Sequence, residues 1–301
     1  MKPATFTTKV DINLAEKLKK DLEDQGFDLT IPTYTIFSAR KKGITCVLYK
    51  SGSLVVQGKN KDEFIEFYLE PEILKTFTYT NPEAFISMTS RIGVDEAGKG
   101  DFFGPLCVGA LYADEKGIKK LISLNIRDSK KISDKSILNI ADILKSSFQI
   151  TVIRIFPEKY NALYLKFKNL NSLLAWAHTR AIQELVEKTN CRNVIIDQFA
   201  NKAVVEGAVK RKGLDIHLEQ RTKAEEDPIV AGASILARAG FLKGLEELSK
   251  EYDQKLPKGA SAIVIDIGQK FVNRHGPEAL EKVAKVHFKT KEAIINSQIN
   301  P

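Results

Sequence analysis

The chain has 301 residues, of which 43% are hydrophobic and 28% charged. This composition excludes a disordered chain and provides enough apolar mass for real cores. At this length two domains are the default, because single cores cluster around ~100–200 residues. A formal charge of +8 and a pI near 9.1 point toward a polyanionic partner, since clustered Lys and Arg gain free energy by releasing the counterions condensed on nucleic acid.

Cys46, Cys107 and Cys191 are far apart and each sits in an apolar run. They are read as small core hydrophobes in a reducing compartment, which excludes a zinc cluster. No secretory h-region opens the chain, and no apolar run approaches the ~20 residues of a bilayer span. The expected location is therefore the cytoplasm, with no membrane association.

Residues 1–80 are expected to form a self-contained unit. "ATFTTKVDI" is strand-like, and "NLAEKLKKDLEDQGF" places Leu14, Leu18 and Leu22 at helical spacing, with Asn13 as the N-cap. Three β-rich runs, "TYTIFSAR", "ITCVLYK" and "SLVVQG", are separated by the turn sequences "KKG" and "SGS", and "KDEFIEFYLEPEIL" closes the unit as a helix. The order β-α-β-β-β-α predicts a curved antiparallel sheet with helices on one face. These residues hold 12 basic and 11 acidic side chains, a net of +1, which leaves +7 for the remainder. The basic ones crowd at the hairpins, as Arg40, Lys41, Lys42, Lys50, Lys59 and Lys61. A linker is expected over residues 81–90, within "TYTNPEAFISMTSR", which lacks any period.

From residue 91 to 301 the pattern changes to strands alternating with longer helices, which predicts an α/β layer fold with a central sheet. "RIGVDEAG" and "GPLCVGALYA" are apolar strands around a Gly-rich turn; "NVIIDQF" is a buried strand. "KYNALYLKF" leads into the long helix "LNSLLAWAHTRAIQELVEKT", and a second long helix is "PIVAGASILARAGFLKGLEELSKEY". In α/β sheets ligands sit at strand ends, so acids that terminate apolar strands are the informative ones. "RIGV" runs into Asp95-Glu96 and "NVII" into Asp197, while Glu225, Glu226 and Asp227 precede the second long helix. Converging carboxylates repel one another and need divalent cations to gather. Two Mg²⁺ ions ~3.5–4 Å apart support in-line displacement at phosphorus.

Gly93 to Lys99 also spells G-x-x-x-x-G-K, the spacing of a phosphate-cradling P-loop. Lys99 is followed by Gly100 rather than Ser or Thr, and Asp95 and Glu96 would face the phosphate and repel it. A nucleotide hydrolase is kept only as the alternative.

Taken together, "IGVDEAGKGDFFGPLCVGA", "RDSKKIS", "VIIDQFA", "KAEEDPIVAGASILAR" and "AKVHFKT" resemble the motifs of the ribonuclease H type 2 fold group over about 200 residues. "NLNSLLAWAHTRAI" and the extra N-terminal unit favour the ribonuclease HIII type, whose substrate domain is similar to the TATA-box-binding protein. The resemblance implies a ribonuclease H-like catalytic domain with a central mixed sheet flanked by helices. Its activity would be metal-dependent cleavage of the RNA strand of RNA-DNA hybrids, leaving 5′-phosphate and 3′-hydroxyl ends.

Carried onto this chain, the resemblance implies Asp95, Glu96, Asp197 and Glu225 as catalytic acids holding Mg²⁺ or Mn²⁺, with Glu226 and Asp227 open as alternatives for the fourth. Gly98, Lys99 and Gly100 match the loop that reads the RNA 2′-hydroxyl, and Lys50 and Lys59 are candidates for gripping the hybrid backbone. The expected partner is the hybrid alone, with the chain a monomer. A hybrid-binding protein without catalysis is the further alternative, although all four acids are present.

Several residues carry plainer readings. His178 is expected to belong to the core or surface of its helix, and His217 and His275 have no partner at metal spacing. His287 lies inside a matched segment. Asp266, after "AIVI", is either a strand-end acid or a cap. Asp128 is expected to cap the segment after it, and Phe102 and Phe103 to pack beneath the Gly-rich loop.

Overall fold

Alternating polar and apolar residues give the first part of the chain its strands, β1 (Thr5–Lys9), β2 (Asp28–Thr30), β3 (Thr35–Lys41), β4 (Ile44–Tyr49) and β5 (Ser53–Gln57). The computed structural model describes residues 4–126 and 132–296, in two compact units, Met1–Ser87 and Met88–Pro301. In the first unit the strands form one antiparallel sheet in the order β1-β5-β4-β3-β2. β2 is absent from the expected order because three residues carry too little alternation to register.

Helix α1 (Ala15–Asp24) is reached through a short 3₁₀ turn. The cap of that turn is Asp11, whose carboxylate accepts the Asn13 N–H, so Asn13 is capped rather than capping. Helix α2 (Lys61–Phe64) runs on as a wider π-type helix, Ile65–Leu74, around Pro71. Leu18 and Leu22 of α1, with Ile65 and Leu69, bury themselves against Phe37, Cys46, Leu48 and Leu54 on one face of the sheet. The opposite face carries the cross-strand row Thr7, Val55, Val47, Ser38 and Thr30, all short side chains.

The second unit has β6 (Arg91–Ala97), β7 (Leu106–Ala113), β8 (Gln149–Ile155), β9 (Asn193–Asp197) and β10 (His217–Arg221), in the order β10-β9-β6-β7-β8. β6, β7 and β8 are antiparallel, whereas β9 and β10 run parallel to β6, so the sheet is mixed. Its helices are α3 (Glu115–Ser123), α4 (Asp134–Ser147), α5 (Pro157–Phe167), α6 (Leu170–Thr189), α7 (Lys202–Arg211), α8 (Pro228–Glu251), α9 (Ala262–His275), α10 (Leu280–Val283) and α11 (Thr290–Asn296). α6 and α7 close one face over Ile92, Val94, Val194 and Ile196.

α8 lies against β6 and β7 on the other face. By length and composition α8 could cross a membrane, contrary to the expectation that no run comes close, but 72% of its apolar window is buried in the fold. It is a core helix. Its approach depends on glycine: a Cβ on Gly93 would lie 2.7 Å from the Ile229 carbonyl carbon, and one on Gly109 2.3 Å from the Ala233 oxygen.

"AIVI" belongs to α9 and not to a strand. Asp266 there pairs with Lys270 one turn later at 2.8 Å on an exposed face, which removes it from the candidate acids. Of the anticipated Asp-Ser-Lys loop, residues 127–131, Asp128 among them, lie outside the described residues; Ser133 caps α4 by accepting the Ser136 N–H.

The chain's last part is stitched beneath the turn joining β6 to β7. Phe102 and Phe103 are fully buried there, ring centroids 4.9 Å apart, as the sequence predicts. Phe103 bridges to Ala284, the Lys285 N–H donates to the Phe102 carbonyl at 2.8 Å, and the Gly104 N–H donates to the Val283 carbonyl at 3.0 Å. The fully buried Lys285 ammonium donates to the Gly104 carbonyl at 2.6 Å. Asn161 of α5 locks the same segment, donating to the Glu281 and Ala284 carbonyls, each at 2.9 Å.

Burial pulls Lys285 down to about 7. Between that value and the ordinary lysine range the unfolded chain holds a proton that the folded chain has released, so folding stability rises with pH there, by at most ~1.4 kcal/mol per pH unit. The buried Cys46 and Cys107 thiols, pushed up to about 12 by desolvation, act with the opposite sign above the ordinary thiol range. Urea unfolding from pH 7 to about 8.5 is therefore expected to show a rise in stability that Lys285→Met flattens; equal slopes in both proteins would contradict this account.

Candidate active site

Gly93 to Lys99 begins as a strand, not a cradle. β6 is extended and pairs with β7 from Arg91 opposite Ala113 to Ala97 opposite Cys107, and the chain turns straight into β7. A phosphate-cradling loop needs its amides gathered at a helix N-terminus. Here a strand follows, which excludes the nucleotide-loop alternative.

The same pairing positions the acids. On parallel β6 and β9, Val94 lies beside Ile196, so the next residue on each strand, Asp95 and Asp197, stand side by side. Glu96 follows directly, and its N–H donates to the Asp95 carboxylate at 2.8 Å. Asp95 also takes a hydrogen bond from the Ser234 hydroxyl of α8. Burial first, and the neighbouring Glu96 charge second, push Asp95 up to about 6. Burial alone would raise Glu96 too, but hydrogen bonds and charge from His178 and Lys99 overcome it and hold Glu96 at about 2.

His178 Nε2 lies 3.1 Å from Glu96 Oε2, and Lys99 Nζ 2.6 Å from Oε1, so each oxygen has a partner. Lys99 is held above its ordinary value although its own burial opposes this; Glu96 acts on it most, then Asp95 and Asp197. All three acids thus act on one ammonium.

The candidates for a fourth acid are reached through the backbone. The Asp197 carboxylate accepts the Ala224 N–H at 3.0 Å, tying the strand end to the 3₁₀ turn Ala224–Glu226. Glu225 follows Ala224 at this rim, half-buried, and Glu226 is exposed. Gly98 is buried at φ +87°, and a Cβ there would lie 2.3 Å from the Pro105 oxygen, so its service is to make the turn. Gly100 is exposed with nothing within 4 Å of a would-be Cβ.

Among the described residues no three acidic, His or Cys side chains already form a closed ligand cage. The donor set nonetheless fits a hard divalent cation: carboxylate oxygens at neighbouring strand ends, with Asp95 raised first by burial and then by the Glu96 charge, a combination that a second source of positive charge would relieve.

Residues 92–291 match the family described as ribonuclease HII, and residues 5–81 match one described only as a domain of unknown function. The chain is 52% identical to the ribonuclease HIII of Protochlamydia amoebophila, with 96% of each covered, and 49% identical to that of Chlamydia felis over 97% of this chain and 98% of the relative. The chain belongs to the ribonuclease HIII family.

Among solved structures, that of Bst-RNase HIII in complex with Mn²⁺ superposes with a TM-score of 0.69 at 26% identity, covering 97% of this chain and 98% of that one. Aquifex aeolicus RNase H3 gives 0.56 at 29% identity, covering 94% and 99%.

This ribonuclease HIII chain also uses residues that the sequence reading left aside. His178 is fully buried, as a core histidine would be, yet it faces Glu96 and lies 4.7 Å from the Phe199 ring. A histidine on the apolar stripe of α6, level with buried Leu174 and Ile182, was the available sign, because a buried imidazole requires a partner. Ser234 lay unmarked among the small residues of α8. His287 stacks on Tyr164 at 4.2 Å, and His275 packs tilted against Phe271 at 4.7 Å, each in an aromatic cluster.

Lys50 and Lys59 do not form one patch. Lys59 lies against the β3–β4 turn at Gly43, near Lys41 and Lys42, whereas Lys50 is in the β4–β5 turn at the other end of the strands.

Asp227 has a different occupation from its neighbours. It caps α8 by accepting the Ile229 N–H, and its other oxygen takes Arg91 Nε at 2.9 Å and Nη2 at 2.7 Å, with both side chains almost fully buried. Removing one member of a buried pair strands the other's charge, at ~3–5 kcal/mol. Asp227→Asn is therefore expected to lower unfolding stability by about 3 kcal/mol. Glu225→Gln should leave stability within ~0.5 kcal/mol but lower hybrid cleavage more than the ~10–100-fold typical of a residue that merely supports a metal ligand. Denaturation and cleavage assays on the two variants would overturn this division if the effects were exchanged.

Proposed function

We propose that Asp95, Glu96, Asp197 and Glu225 form the catalytic centre of an endoribonuclease that hydrolyses the RNA strand of RNA-DNA hybrids, leaving 5′-phosphate and 3′-hydroxyl ends. The observation that carries this reading is the register of parallel β6 and β9, in which Asp95 and Asp197 come next after the paired Val94 and Ile196, together with the action of both aspartates and of Glu96 on Lys99. Mg²⁺ or Mn²⁺, held by these carboxylates, would supply an activated water and charge stabilisation at the leaving 3′-oxygen.

The chain's own residues prepare that chemistry. His178 and Lys99 fix the two oxygens of Glu96, so its carboxylate need not reorganise when substrate arrives. Lys99 remains half exposed, leaving part of its charge to face the phosphate backbone. The open surface at Gly100 lets backbone approach the sugar, where the 2′-hydroxyl distinguishes RNA from DNA. The buried, unreactive Cys46 and Cys107 thiols suit a reducing compartment, and we place the enzyme in the cytoplasm.

The N-terminal unit is proposed as a substrate-binding domain. Its sheet carries a cross-strand row of short Thr, Ser and Val side chains, and Lys50 and Lys59 lie toward opposite ends of the strands that form it, where each would meet a phosphate of a bound duplex.

Asp95→Asn and Asp197→Asn are expected to abolish cleavage of a labelled hybrid while leaving its binding in EDTA within a few fold, and EDTA should silence the unaltered enzyme. Parallel loss of binding and cleavage would contradict the assignment. Alanine at both Lys50 and Lys59 should reduce the slope of log affinity against log salt by about 1 per phosphate contact removed, or about 2 in all; an unchanged slope would exclude them from the interface.

A further inference from the structure

On the flank of α6 turned away from the acids there is a second basic and aromatic site. α6 turns by about 100° per residue, so Trp176 and Arg180, each two positions from His178, lie roughly 200° around the helix from the side chain that faces Glu96. They line a cleft of about 370 Å³ between α6 and α7, together with Phe167, Ala208, Arg211 and Lys212. Trp176, the chain's one tryptophan, is 38% exposed, and its ring centroid is 6.2 Å from that of Phe167. Part of the indole is thus open to solvent on the rim of the cleft, where an incoming ring can reach it.

The charges around these rings are unevenly committed. Arg180 donates from Nε to Glu184 one turn later at 3.1 Å. Arg211 and Lys212 are exposed at the end of α7, and neither side chain is ion-paired among the described residues. Two uncommitted cations beside two aromatic faces match a ligand with a flat π surface and an anionic group a few bonds away.

We infer that this cleft binds a single-stranded nucleic-acid segment, one base against Trp176 with the adjoining phosphates at Arg211 and Lys212. Size and stacking select the single strand. The cleft is near the lower end of small-ligand pockets, ~300–1,000 Å³, so it takes a nucleotide unit and not a helix. The bases of a duplex are already stacked on one another and offer no free face, whereas an unpaired base does. An acidic peptide would satisfy Arg211 and Lys212 but leave the ring faces without a planar partner. The inference stands apart from the metal-site assignment, because no residue of the cleft belongs to the acidic centre.

The sole tryptophan makes the test direct. The full-length protein, in EDTA so that nothing is cleaved, is titrated with hexathymidylate while Trp176 emission is followed. Saturable quenching is expected, weakening with salt at a slope of about −0.7 per phosphate engaged. Arg211→Ala combined with Lys212→Ala should weaken it at least ~10-fold while Mg²⁺-dependent hybrid cleavage is unchanged. Trp176→Leu, followed by anisotropy of a labelled hexamer and checked for folding by circular dichroism, should weaken binding by a further ~5–150-fold, the range of one lost base stack.

Four results would overturn the proposal. These are absence of quenching, quenching undiminished in the Arg211/Lys212 variant, equal quenching by a blunt DNA hairpin, and equal quenching by hexaglutamate, which would assign the cleft to an acidic peptide.

Discussion

Burying two consecutive carboxylates at the end of one strand is the constraint around which the catalytic unit is organised. Asp95 and Glu96 cannot both keep ordinary carboxylate behaviour so close together and so far from water, and the surroundings divide them: one is raised, the other lowered. That division requires a cation on one side of Glu96 and an imidazole on the other. The cation comes from the turn that immediately follows the strand, and the imidazole from a helix some eighty residues away in sequence. Ser234 adds a donor from the opposite layer. The centre is therefore a meeting of both helical layers with the sheet, and no single segment could form it.

Much of this was legible in the sequence for a physical reason. An acid that terminates an apolar strand is costly unless it is used, so Asp95, Glu96 and Asp197 stand out without reference to any fold. The long helices α6 and α8 were equally plain, since each runs for twenty residues or more rich in the helix formers Ala, Leu and Glu. What could not be read depended on distant partners. Asp227 resembles Glu225 and Glu226 in the sequence, and only the arrival of Arg91, 136 positions earlier, shows that it is a structural anion. Asp266 follows a run that suits a strand as well as a helix, and the choice was decided by what it packs against. Lys50 and Lys59 look alike as hairpin lysines, yet which end of a sheet a hairpin occupies follows from strand direction and not from composition.

Glycine has two separate services in the catalytic unit. At Gly93 and Gly109 it lets α8 approach the sheet to a distance that any side chain would forbid, which brings Ser234 within reach of Asp95. At Gly98 it permits a left-handed turn immediately after the acids, which points Lys99 back toward them. The first service is about packing and the second about direction, and both lead to the same carboxylates.

The stitch between Lys285 and the carbonyl of Gly104 joins residues 181 positions apart. A contact that spans so much chain carries a loop-closure cost that the intervening sheet has to offset before it can form. A refolding molecule therefore pairs its strands first and steadies the turn beside the acids afterwards, when the distant segment slides beneath it as a floor.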